Sequence, residues 1–179
     1  MDSAVVANTY LLVFRVIHIL AAIAWGGSVF LMVVYLQPTA AAIAPAGAPF
    51  MAELLGRRRL VNGILGLAAA TIVGGAFLYW HDWQATGSFS DWVTSTFGAW
   101  LTVGAVASIL AFLIGLFVTR PAVSRMLALG AQMAQAGGPP APEQAAEMQA
   151  IQARMKNAAR TSFALIVVAA FTMATARYW

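Results

Sequence analysis

The chain has 179 residues, of which 61% are hydrophobic and 9% charged, with a mean hydropathy of +0.80; soluble domains carry about 25% charged residues, so this composition excludes an ordinary water-soluble enzyme. A formal charge of +4 does not point to nucleic acid, because the basic residues flank apolar runs and form no patch on a polar surface. The absence of cysteine removes disulfides, iron–sulfur clusters and thiolate metal sites, which leaves histidine, methionine and carboxylates as the available ligands.

The first apolar run covers residues 10–36 and is long enough to cross a hydrocarbon core of about 30 Å. It exceeds the roughly 7–15 apolar residues of a signal peptide and reads as a retained first helix. Within it stands His18, and an ionisable side chain inside a membrane span faces a protein interior, a cavity or a ligand. His18, Trp25 and Met32 are spaced by heptads, with Ala22 and Val29 between them on the same helical stripe, so this stripe is expected to face the bundle. Arg15 marks the interface, which puts His18 one turn inside, roughly 4–5 Å deep.

The linker that follows, residues 37–59, holds Pro38, Pro45, Pro49 and Gly56 before the triplet Arg57, Arg58 and Arg59, and does not read as a domain. Residues 60–80 form the second span. Its Gly63, Gly66, Gly74 and Gly75 are places where helices can approach closely, and Asn62 and Thr71 are expected to bond across helices or back to the chain. The second linker, 81–96, is short and polar and opens on His81 and Asp82. Residues 97–119 form the third span, with Gly104 and Ser108 as small packing positions.

The third linker, residues 120–158, is expected to form a helical hairpin that extends the third and fourth helices without a break. Ala, Gln, Glu, Met and Leu dominate both arms and favour helix; Gly137 to Pro142 supply the turn. Met126 and Met133, like Met148 and Met155, stand a heptad apart. Such arms reach roughly 20–25 Å and offer a methionine-lined face for a partner. The fourth span, 159–179, closes on Met173 and Arg177. The predicted fold is therefore all-α, a single integral membrane four-helix bundle with a cytoplasmic helical hairpin.

Lysine and arginine counts set orientation. Of the ten basic residues, Arg57, Arg58, Arg59, Arg120, Arg125, Arg154, Lys156 and Arg160 share one side, which should be cytoplasmic. Both termini and the His81 linker are then outside, with Trp80, Trp83, Trp92, Tyr178 and Trp179 as an outer aromatic belt.

On this topology His18, His81, Met173 and Arg177 share the outer level. Two imidazoles can clamp a haem iron, and imidazole with thioether suits copper(I). Packed helices lie about 8–10 Å apart, so a porphyrin held between His18 and His81 requires the first two spans to be diagonal, or His81 to reach in from beyond the helix end. The structural reading is a neutral His18 donating to a backbone carbonyl or hydroxyl across the bundle, with His81 an interfacial residue beside Asp82. No catalytic triad, phosphate loop, carboxylate pair or zinc motif is present, and no catalytic residue is assigned; any reaction would be that of a haem-dependent membrane oxidoreductase.

At these residues the chain resembles the copper resistance protein D (CopD)-like integral membrane proteins. The resemblance rests on Ile17-His18, the small residues Ala21-Ala22, Trp25 with Gly26-Gly27, Phe30, and Pro38 where the helix leaves the membrane, and on the closing stretch Met173-Ala174-Thr175-Ala176-Arg177-Tyr178. Ser28 departs from it where a glycine often follows. The resemblance implies copper handling at the outer face of a bacterial cytoplasmic membrane, or kinship with small b-type haem membrane proteins. His18, His81 and Met173 are then the candidate metal ligands, and His18, His81, Trp25 and Arg177 the candidate cofactor contacts. Protoporphyrinogen oxidase of the flavin-free, haem-containing kind shares the histidine and tryptophan, but its Pro-Arg-Leu segment is replaced here by Tyr35-Leu36-Gln37-Pro38. The alternative from another class is a cofactor-free accessory subunit of a larger respiratory or photosynthetic complex, or a homo-oligomer, assembled through the helix faces and the hairpin.

Overall fold

The computed structural model describes residues 3–179, with side chains described from residue 8 onward. Every regular element among the described residues is helical. Helix α1 (Ser3–Leu31) passes through a wide π turn (Met32–Leu36) into α2 (Gln37–Ala42); α3 (Gly47–Ala52) and a second π turn (Glu53–Arg57) lead to α4 (Leu60–Thr86). A short α5 (Phe89–Thr94) precedes α6 (Thr96–Ile114), which runs through a third π turn (Gly115–Thr119) into α7 (Arg120–Ala136); α8 (Pro142–Thr175) ends in a single 3-10 turn (Ala176–Tyr178).

Four continuous helical stretches are long and apolar enough to cross a membrane: Asn8–Ala42, Leu60–Thr86, Thr96–Ala136 and Pro142–Tyr178. The first three expected spans each lie inside one of them, and the fourth, 159–179, overruns its stretch by one residue. The continuity of the third stretch needs a reason, because Pro121 lacks an amide hydrogen and its ring crowds the preceding turn. The π turn immediately before it opens the helix where the ring must fit, and the π turn at Met32–Leu36 stands in the same relation to Pro38.

The long helices pack as two close hairpins. One pairs α1 with α4 and the other α6 with α8, while α4 against α6 and α1 against α8 close the ring. The first two spans are thus neighbours and not diagonal. Trp25, Ala68 and Ala111 form the buried middle of the bundle. At the arginine-rich end, Met32, Leu55, Ala122, Val123 and Met155 form a second core, into which the first linker folds through Leu55. That linker is mostly helical despite its three prolines; Pro38 occupies a first-turn position, where no amide donor is needed.

The hairpin of α7 and α8 matches its expectation in type and extent. Gly137 ends α7 in the left-handed region at φ 66° and Pro142 starts α8 at its first turn. Arg125 makes a bidentate pair with Glu147 at 2.6 and 2.9 Å. The methionine stripe is only part of the arm contact: Leu129, 1% exposed, is more deeply buried than any of the four methionines.

Candidate functional site

His18 lies on the inward stripe of α1, as its spacing from Trp25 and Met32 predicts; Trp25 is 5% exposed and Met32 8%. Its neighbour is α4. Gly74 and Gly75 leave a notch there: a Cβ at Gly75 would fall 2.7 Å from His18 Cε1, and one at Gly74 would fall 3.2 Å from His18 Cβ. Only glycine at residue 75 leaves room for the ring. Next to the notch, His18 Nδ1 lies 2.7 Å from the Thr71 carbonyl oxygen. A carbonyl can only accept, so Nδ1 carries a hydrogen and donates it to Thr71. Thr71, buried, turns its own hydroxyl back to the Leu67 carbonyl at 2.9 Å.

His81 is placed differently. It was expected in the second linker, but α4 continues to Thr86, where Gly87 at φ 74° caps it; Asp82 and Gln84 are compatible with helix and nothing earlier stops the turn. Gly75, which touches His18, precedes His81 by six residues, so His81 stands about 9 Å further towards the helix end. It is exposed, with Nδ1 3.4 Å from the Asp82 carboxylate. The two histidines are therefore not on one level, and the close contact of α1 with α4 leaves no porphyrin-thick gap between them.

Met173 stands level with His18. Gly26 of α1 faces Ile166 of α8, its would-be Cβ 3.3 Å from the Ile166 side chain, and the helices are antiparallel; seven residues from each contact, roughly 10 Å, bring Met173 level with Ile19 and so with His18. Its side chain lies over Gly104 of α6, with Cγ 2.8 Å from a would-be Cβ there. Arg177 is exposed in the terminal 3-10 turn. Trp25 belongs to the apolar middle of the bundle. No hydrogen bond or ion pair joins these residues to one another among the described residues, and no group of three or more His, Asp or Glu stands together there.

The aromatic belt is partly a core. Trp80, Tyr178 and Trp179 are exposed, but Trp92 is 3% exposed, held edge-on between Tyr79 and Phe97 at centroid distances of 5.5 and 5.7 Å. Tyr79 donates to Thr102 Oγ1 at 2.8 Å, since the Thr102 hydroxyl hydrogen goes to the Gly98 carbonyl at 2.6 Å. Comparison with known proteins finds no matching family model, no matching curated protein and no matching solved structure.

Proposed function

We propose that the chain is a CopD-like protein of the bacterial cytoplasmic membrane that handles copper near its outer face, with His18 Nε2 as principal ligand. The observation that carries the reading is the hydrogen bond from His18 Nδ1 to the Thr71 carbonyl. Metal-bound histidines characteristically donate their other ring N–H to a carbonyl or carboxylate, which fixes the tautomer and aims the free nitrogen. The Met173 thioether at the same level supplies the soft donor that favours copper(I). A bis-histidine haem across the first two spans does not fit the side-by-side packing of α1 and α4. The arginine-rich end is taken as cytoplasmic on the positive-inside rule.

Chemically, the bundle would offer the His18 imidazole and, from α8 at the same level, the Met173 thioether, and copper would supply affinity for soft ligands or one-electron chemistry. The chain's own residues orient His18 through the Thr71 carbonyl. The test is to purify the protein gently, offer both copper(I) and haem, and measure metal content and the Soret region. Near-stoichiometric copper, lost in His18→Ala and reduced in Met173→Leu while the helices stay folded, is the expected result. A wild type that takes up neither overturns the reading. His18 then serves packing alone, and the accessory-subunit reading, with its apolar helix faces and projecting hairpin, takes its place.

A further inference from the structure

Two adjoining hollows lie at the arginine-rich end, away from His18. The first, about 190 Å³, is lined in part by Arg59, Asn62, Arg120 and Ser124. The second, about 300 Å³, runs along the seam between α4 and α6, where Leu65, Gly66, Ala69, Phe112 and Leu116 line it, and it shares Asn62 and Arg120 with the first. One continuous groove thus has a basic, hydrogen-bonding head and an apolar trough.

Apart from Ser124, whose hydroxyl donates to the Arg120 carbonyl at 3.2 Å, the polar side chains at the head are unspent. Within the arginine triplet, Arg57 and Arg58 both pair with Glu53, at 3.9 and 3.3 Å, whereas neither Arg59 nor Arg120 has a carboxylate partner among the described residues. Arg59 is also the one non-glycine described residue at positive φ, 51°, a conformation that costs energy for a side chain with a Cβ. Asn62 makes no side-chain hydrogen bond among the described residues. In the trough, a Cβ at Gly66 would meet nothing within 4 Å, so this glycine, expected to bring helices together, instead leaves the seam open.

We propose that this groove binds one anionic phospholipid, its phosphate between Arg59 and Arg120 with Asn62 as a donor, and one acyl chain along the trough. The charge at the head is unmatched within the chain, and the trough continues from it into the apolar length of α4 and α6. Basic pockets between membrane helices take phosphate headgroups in this manner. The proposal is independent of the copper reading and of which way the bundle faces.

The test uses the full-length protein extracted from bilayers of equal phosphatidylglycerol and phosphatidylcholine, with retained lipid read by native mass spectrometry. One phosphatidylglycerol should remain on the wild type. Arg59→Gln and Arg120→Gln should each weaken retention about fivefold, the scale of one juxtamembrane arginine, and the pair about thirtyfold. Ala69→Leu should fill the trough and lower retention with the arginines intact, circular dichroism confirming the fold. Arg57→Gln combined with Arg154→Gln makes the same change of charge off the groove and should leave retention as it was. Equal loss in that control, undiminished lipid on the groove variants, or displacement of the lipid by millimolar inorganic phosphate would overturn the proposal, the last by showing that the site takes a free anion.

Discussion

His18 can sit between two helices because Gly75 has no side chain. The heptad spacing made its face of α1 legible in the sequence, and Thr71 was legible as a residue that would bond locally or across helices. The pairing of His18 with Thr71 and Gly75 was not, because periodicity fixes the angle of a residue around its helix and says nothing of the axial register between two helices. The same limit put His81 on the wrong level. Gly75→Ala is expected to destabilise the bundle by about 1–3 kcal/mol, the cost of overpacking a close contact, in denaturant unfolding of the detergent-solubilised protein. In a His18→Ala background the same substitution should cost clearly less, because the ring atom it meets is gone. Strict additivity of the two changes would show that Gly75 is not the seat of the ring.

At the scale of the helices, ends were easier to read than continuations. Gly137 and Pro142 marked the hairpin turn, and the run of the third span into its arm across Pro121 was expected; the first span was expected to end at residue 36, yet helix continues through Pro38 to Ala42, because a π turn precedes it and Pro38 takes a first-turn position. The contact that ties the arms, Arg125 to Glu147, joins residues 22 apart, beyond any local pattern. The hydrogen bonds from Arg125, aided by its charge and partly opposed by desolvation, hold the Glu147 carboxyl below the usual carboxylate range. A folded-state pKa below the unfolded one means the contact contributes above the unfolded value, about 4.3, and is lost as pH falls through the folded one. Amide exchange at the ends of α7 and α8 should therefore quicken below about pH 4 relative to neutral pH, beyond the intrinsic pH dependence of exchange. Glu147→Gln should abolish that difference; an unchanged acid response in the variant would assign it to another group.

The whole molecule has two chemically distinct ends. An even number of antiparallel long helices puts the termini, Trp80, Trp92 and the His18 level at one end, and Arg57, Arg58, Arg59, Arg120 and the hairpin at the other. That polarity was fully legible, since it needs only the count of spans and the distribution of charge. The glycines were not: Gly74, Gly75 and Gly104 are contact points, whereas Gly63 and Gly66 face open space, a distinction that depends on which helix stands opposite. Both proposed sites inherit their side of the membrane from this polarity, copper at the terminal end and an anionic lipid at the arginine-rich end. Because the chain lacks cysteine, single cysteines at Ser88 and Gly138 report each end without background, using a membrane-impermeant thiol reagent on intact cells. The account predicts labelling at residue 88 before lysis and at residue 138 only after it. Labelling of residue 138 in intact cells, with residue 88 protected, would contradict it.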